Sequence, residues 1–205
     1  MAVGGAVALR TLARTRANSS VDMEDAHATI LKLDDQRWSN WSYFGIFDGH
    51  AGYRTAAKAA DKLHSRILST LNSSVAEPIS TKSSPEISSS QIDFAKFESA
   101  IKDAYFKFDH EWREENRTNN PGTGRFCTSA PACGHVRCSF ADDRSGSTAI
   151  SCLIDNERVY FLNVGDSRGI LVSTEGRVLL ATKDHKPSRA SFVRTTKSCI
   201  HHSSR

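Results

Sequence analysis

The chain has 205 residues, of which 39% are hydrophobic and 24% are charged, and this composition is typical of a globular protein rather than a disordered tail or a fibrous repeat. No apolar run approaches the roughly 18 residues that a membrane span requires, so the sequence predicts no transmembrane segment. The net charge of +4 comes from the two ends, residues 1–20 and 177–205, whereas the residues between them are net acidic. This uneven distribution does not favour a nucleic-acid-binding protein, in which basic side chains line one face of the fold.

The N-terminal segment, residues 1–19, contains Arg10, Arg14 and Arg16 and no acidic residue. Such a composition fits a mitochondrial presequence, and the alternative is a disordered N-terminus or an alternative first exon. The five cysteines are odd in number and no secretory signal precedes them, which favours a reducing compartment. We therefore predict a cytoplasmic or nuclear protein, with the mitochondrion as the alternative.

Two strands are predicted first, over residues 27–34 and 41–47, and the turn residues between them predict a hairpin. A helix is predicted to follow, because apolar residues recur every three or four positions. These residues are Ala56, Ala59, Ala60, Leu63, Ile67, Leu68 and Leu71. Residues 72–91 are rich in serine and lack a period, so they are predicted to form a loop.

A second helix is predicted from an aromatic stripe at helical spacing, which more often marks a core than a cofactor site. The stripe consists of Phe94, Phe97, Ile101, Tyr105, Phe108 and Trp112. Residues 117–145 lack periodicity and are predicted to be an inserted loop. Within this insert, Cys127, Cys133, His135 and Cys138 allow a zinc site, but their spacing is not that of a zinc knuckle, and a flexible insert is the preferred interpretation.

Four short strands are predicted over residues 147–154, 158–164, 170–173 and 178–181, separated by residues typical of hairpin turns at 155–156, 165–166 and 175–176. They are expected to form a meander. A strand pair, two helices and a meander in this order predict an α+β fold in which helices cover an antiparallel sheet.

Four acidic residues at three places are candidates for chemistry: Glu24 and Asp25 before the first strand, Asp48 after the second, and Asp166 at a turn expected to be a hairpin tip. Carboxylate and backbone carbonyl oxygens, such as Asp48 and Gly49 offer, are ligands that Mg²⁺ and Mn²⁺ prefer, and a histidine beside them is suited to donate a proton. The alternative is that residues 48–49 form a plain turn and that His50 begins a helix.

Five motifs then resemble, in order, those of the metal-dependent protein serine/threonine phosphatases, the PPM or type 2C family. They are Met23–His27, Tyr43–Gly52, Gly146–Ile150, Asn163–Arg168 and Lys183–Pro187. The resemblance covers roughly residues 20–188. It implies an antiparallel β-sandwich flanked by helices, in a four-layer α-β-β-α arrangement, which in this chain is expected to be incomplete at the C-terminus.

The resemblance also implies the roles of individual residues. Asp48 would bridge two Mg²⁺ or Mn²⁺ ions, the Gly49 carbonyl and Glu24 would each hold one of them, and Asp166 would hold a weaker third ion. Asp25 would support these ligands, and His50 would be the general acid for the departing serine or threonine oxygen. Water activated by the metal pair would hydrolyse phosphoserine and phosphothreonine in protein substrates.

The chain departs from the family pattern at two places. Ser20 occupies the position of the arginine that grips the substrate phosphate, so no residue is predicted to bind phosphate there. Two further metal-binding aspartates of the family have no counterpart before the chain ends at Arg205, and residues 189–205 form a basic tail outside the family pattern. We therefore expect a truncated member of the family. It is predicted to be a monomeric phosphatase, and the alternative is a catalytically inactive isoform or fragment that acts as a binding or regulatory module.

Overall fold

The computed structural model describes residues 23–75, 87, 89–119, 144–186 and 194–199. Its main element is a five-stranded antiparallel sheet. Its strands, in their order across the sheet, are β1 (Ala26–Ile30), β2 (Ser42–Phe47), β5 (Ala149–Ile154), β6 (Arg158–Val164) and β9 (Arg194–Cys199). The short strands β3 (Gly49–His50) and β4 (Gly146–Ser147) pair separately. The N-terminal segment, residues 1–19, lies outside the described residues.

The first hairpin confirms the sequence prediction, because β1 pairs antiparallel with β2 from Ala26 opposite Phe47 to Ile30 opposite Tyr43. The first strand nevertheless ends at Ile30 rather than at residue 34. Beyond it, the Asp34 carboxylate accepts hydrogen bonds from the backbone N–H of residues 36 and 38, which stabilises a turn instead of an extended strand.

Two helices cover one face of the sheet, and both were predicted. Helix α1 (Arg54–Ser74) and helix α2 (Phe94–Asn119) extend into the loops predicted at 72–91 and 117–145. A short 3₁₀ turn (Ser89–Gln91) precedes α2. The zinc candidates in the second loop lie outside the described residues, so that alternative stays untested.

The core between the helices and the sheet is built on aromatic side chains. Phe97 of α2 is fully buried, with its ring centroid 4.6 Å from that of Tyr160 on β6, and Tyr160 stacks on Trp41 at 5.7 Å. A buried hydrogen bond of 2.9 Å joins the hydroxyls of Tyr105 and Ser151. The prediction that the aromatic stripe of α2 is core is therefore confirmed from Phe94 to Phe108. Trp112 lies outside the core, with its indole N–H donating to the Thr55 hydroxyl and its ring beside Lys58.

The opposite face of the sheet carries a second, smaller core. Along β5 and β6 alternate residues point to it, and Ile150, Val159 and Phe161 are buried there. Leu171 and Leu180 pack against this cluster from a separate hairpin formed by β7 (Ile170–Val172) and β8 (Val178–Ala181). The hairpin is a separate two-stranded sheet. The described residues therefore contain a layer of helices on one face of the main sheet and this smaller sheet on the other. The predicted α+β class is confirmed.

The predicted meander is wrong at one connection. The hairpins at 155–156 and 175–176 form as expected, but β7 pairs with β8 in its own sheet and β6 pairs with β9 instead. Residues 165–166 are therefore not a hairpin tip. Gly165 has a φ of 99°, a conformation that glycine adopts without strain, and the chain leaves the main sheet there to form the second one.

Strand β9 is an element that the sequence analysis did not predict, and it lies within the segment described there as a basic tail. It pairs with β6 from Arg158 opposite Cys199 to Asn163 opposite Arg194. Neither of the two helices in the described part of the chain is long and apolar enough to cross a membrane.

Candidate functional site

The candidate residues come together at one end of the main sheet because of its antiparallel order. Strands β1 and β5 begin at the end where β2 and β6 finish, as the pairs Ala26 with Phe47, Ile46 with Ile150, and Ala149 with Val164 show. Residues 24–25, 48–50 and 165–166 flank these strand ends. Segments that are distant in the sequence are thus brought to a common edge.

Asp48 is the electrostatic centre of this edge. Its carboxyl group has a raised pKa, because partial burial disfavours the charged form and because the nearby carboxylates of Asp25, Asp166 and Glu24 repel it. His50 acts in the opposite direction and lowers the same pKa. The structure therefore gathers three of the predicted acidic residues around the carboxylate of the fourth, Asp48, which creates a concentration of negative charge.

Glu24 is held close to Asp48 by two features of the backbone. Its Oε1 accepts a hydrogen bond of 2.8 Å from the backbone N–H of Gly52. Gly49 is buried against the Glu24 backbone, and a Cβ atom at position 49 would lie 2.9 Å from the Glu24 carbonyl carbon and closer still to its oxygen. Position 49 therefore accepts only glycine without a shift of the acidic segment.

His50 is presented by a short two-stranded sheet of β3 (Gly49–His50) and β4 (Gly146–Ser147). Its imidazole lies over Gly146, where a Cβ atom would approach the His50 Cε1 atom to 2.7 Å. The side chain is exposed. Glycine at 146 thus leaves room for a ring that is accessible from solvent.

Asp166 lies on the turn between β6 and β7 and is exposed, as are Asp25 and Asp48. The turn is fastened to the beginning of β5 by a hydrogen bond of 2.5 Å between the hydroxyls of Thr148 and Ser167. The backbone N–H of Thr148 also donates to the Asp48 carbonyl at 2.9 Å. Thr148 consequently links the Asp48 and Asp166 segments.

The site lacks a preformed coordination shell within the described residues, where no three His, Cys, Asp or Glu side chains converge closely enough to hold a metal ion. The chemistry of these residues nevertheless fits a divalent cation. Carboxylate and carbonyl oxygens are hard ligands, and a bound cation would relieve the repulsion between the carboxylates. Ser20, the expected position of a phosphate-gripping residue, lies outside the described residues.

The family model for protein phosphatase 2C matches residues 12–191, which is most of the chain. The chain belongs to the protein phosphatase 2C family. The resemblance carried by the five motifs is therefore confirmed, and the fold places the described residues of these motifs around the edge described above.

Individual relatives agree with this assignment. Protein phosphatase 1B of Mus musculus is 29% identical over 167 residues, an alignment that covers 82% of this chain and 35% of that protein. Protein phosphatase 1A of Homo sapiens is 29% identical over 168 residues, with coverages of 82% and 35%. The chain thus spans about a third of the length of these relatives.

Among solved structures, a C. elegans sex determining protein is similar in fold. It superposes with a TM-score of 0.51 and a sequence identity of 20%, over 82% of this chain and 32% of that one. This likeness supports the fold alone.

Sequence reasoning missed several residues that shape this phosphatase-family site. Gly146 and Thr148 belong to a recognised motif, yet no role was predicted for them. Asp184 accepts two hydrogen bonds from Arg168, at 2.6 and 2.7 Å, although their motifs are separate in the sequence. Only the three-dimensional pairing of these segments reveals that contact.

Proposed function

We propose that this chain acts as a protein serine/threonine phosphatase on phosphoserine and phosphothreonine in proteins, through Mg²⁺ or Mn²⁺ ions. The observation that carries the proposal is the cluster of Glu24, Asp25 and Asp166 around Asp48, which raises the pKa of Asp48. A cluster of carboxylates at an exposed sheet end is a suitable environment for a dinuclear cation site.

Each residue has a defined part in this proposal. Glu24, Asp48 and the backbone carbonyl of Gly49 hold the two ions, and Asp166 holds a weaker third one. Asp25 adds negative charge that favours their binding. When bound, such ions neutralise phosphoryl oxygens and lower the pKa of water, which is the chemistry that direct hydrolysis requires.

His50 supplies the proton in the proposed reaction. Hydrolysis of a phosphoserine or phosphothreonine ester releases an alkoxide, and a protonated imidazole can protonate this leaving oxygen. The exposed position of His50 beside Asp48 lets a phosphate carried on another protein reach both residues. The open edge is therefore compatible with a protein substrate.

A second candidate is a catalytically inactive member that binds or regulates phosphoproteins. It is favoured by the absence of a preformed metal shell in the described part of the chain. In that case, the acidic edge would contribute charge to a binding surface and would not complete a catalytic centre.

The deciding experiment measures the hydrolysis of a phosphothreonine peptide by the purified chain with Mn²⁺, with Mg²⁺ and with a chelator. We expect metal-dependent turnover that is abolished by Asp48→Asn. Asp103→Asn is the matched control, because it removes an exposed carboxylate of α2 far along the chain from the site, and it is expected to leave turnover unchanged. Folded, soluble protein without turnover would contradict catalysis and favour the binding module.

A further inference from the structure

The turn that carries Asp166 is held by a segment that arrives from β8. The Thr182 N–H donates to the Gly169 carbonyl at 2.9 Å, and the Gly169 N–H donates to the Thr182 hydroxyl at 2.9 Å. At the other end of the turn, the His185 N–H donates to the Gly165 carbonyl at 2.9 Å, and the Gly165 N–H donates to His185 Nδ1 at 3.4 Å. Both ends of the turn are therefore fixed by residues 182–185, which we call the strap.

A bidentate ion pair also joins the strap to the turn. Arg168 Nε lies 2.6 Å from Asp184 Oδ1, and Arg168 Nη2 lies 2.7 Å from Asp184 Oδ2. The Asp184 side chain is only 15% exposed, whereas that of Arg168 is 68% exposed. Two parallel hydrogen bonds to a planar guanidinium fix orientation as well as distance.

The strap is anchored to the main sheet by a buried side chain. Asn163, which is 1% exposed on β6, donates from Nδ2 to the carbonyl of Lys183 at 3.2 Å. The strap is therefore connected to the strand that precedes the turn, in addition to the turn itself.

The electrostatics of the site explain why such a restraint is needed. Asp166 is exposed on a turn, and its carboxylate lies near enough to that of Asp48 for the two like charges to repel each other. Repulsion between like charges favours movement of Asp166 away from Asp48, and an unrestrained turn would yield to it. The ion pair between Arg168 and Asp184 resists that movement, because Arg168 lies on the same turn as Asp166.

We propose that the strap holds Asp166 opposite Asp48, and that Asp184 and Arg168 are positioning residues for the acidic edge. The functional part of this proposal, that the restraint maintains cation affinity, rests on the proposed function. A direct consequence is that the Arg168 guanidinium is committed to Asp184 and does not bind the substrate phosphate.

The restraint is tested first in the metal-free full chain by hydrogen exchange at individual backbone amides. Asp184→Asn keeps the shape of the side chain but removes its charge, and we expect it to accelerate exchange at residues 165, 169, 182 and 185 by about threefold to tenfold. Glu111→Gln is the matched control, because it removes another ion pair between two segments, that of Arg66 with Glu111. It is expected to leave these amides unchanged, and unchanged exchange in Asp184→Asn would overturn the strap.

The functional consequence is tested by Mn²⁺ binding, measured by electron paramagnetic resonance. We expect Asp184→Asn and Arg168→Gln each to weaken the Mn²⁺ affinity by about threefold or more, and the double variant to show no further loss, since both remove one interaction. Faster exchange with unchanged Mn²⁺ affinity would overturn the positioning role. If the wild-type chain binds no Mn²⁺, the proposed function fails, while the exchange measurement still decides whether the strap holds the turn.

Discussion

Gly49→Ala provides a direct test of how the acidic edge is built. The added Cβ would lie 2.9 Å from the Glu24 carbonyl carbon, whereas nonbonded carbon atoms prefer a separation of about 3.5–4.0 Å. The two backbone segments must therefore separate by at least roughly 0.6–1.1 Å, because the Glu24 carbonyl oxygen lies closer still, and such overpacking typically costs about 1–3 kcal/mol of stability. Because Glu24 moves with its backbone, we also expect weaker Mn²⁺ binding.

Gly176→Ala is the matched control for this experiment. Gly176 has a φ of 80°, but no atom lies within 4 Å of the position that its Cβ would occupy. The substitution is therefore expected to cost about 1–2 kcal/mol of backbone strain without affecting the site. Urea denaturation measures both stability losses, and isothermal titration calorimetry measures Mn²⁺ binding. Wild-type stability and wild-type Mn²⁺ affinity in Gly49→Ala would refute the reasoning.

Three further predictions concern the folded domain. Phe97→Ala is expected to lower the free energy of unfolding in urea by about 3–5 kcal/mol, because a fully buried ring is lost. Phe106→Ala removes an exposed ring and should change that free energy by less than about 0.5 kcal/mol. Equal effects would contradict the assigned core. Burial raises the pKa of the Cys152 thiol to about 11, so peptide-resolved mass spectrometry should show alkylation at pH 8 that is at least about tenfold slower in the folded chain than in the urea-unfolded one; equal rates would contradict its burial. Burial lowers the pKa of His64 below its unfolded value, so its contribution to stability is fully present above about pH 6.5 and is lost as the pH falls. His64→Leu should therefore reduce the pH dependence of the unfolding free energy between about pH 7 and 5. An unchanged slope in this variant would exclude the effect.

The elements that could be predicted from the sequence are those with a periodic apolar pattern. The buried face of α1 and the aromatic stripe of α2 were found because a helix buries residues three or four positions apart. The turn at Asp155 was also found, and its carboxylate accepts hydrogen bonds from the N–H groups of residues 157 and 158. In each case, the signal and its structural cause lie within a short segment.

The errors concern relations that no local pattern encodes. Gly165 and Asp166 have the composition of a hairpin turn, but the sequence does not show that β6 has another partner, β9, or that the chain passes into a second sheet. The acidic candidates were identified from their places at predicted strand ends and turns, the family motifs implied their roles, and the structure brings them together. The contact of Arg168 with Asp184 could not be predicted, because it depends on the path of the chain between them.

The order of strands in the main sheet has a consequence for folding. The acidic edge combines the β1–β2 hairpin with the β5–β6 hairpin, and these units meet only when β2 pairs with β5, for example at Ile46 and Ile150. That pairing closes a loop containing both helices, and contacts so distant in sequence generally form slowly because of the entropy of loop closure. Glu24, Asp25 and Asp48 already meet at the end of the β1–β2 hairpin, where Ala26 pairs with Phe47. We therefore expect Asp166, which follows β6, to join them late, so that its repulsion opposes only the final docking of the two hairpins.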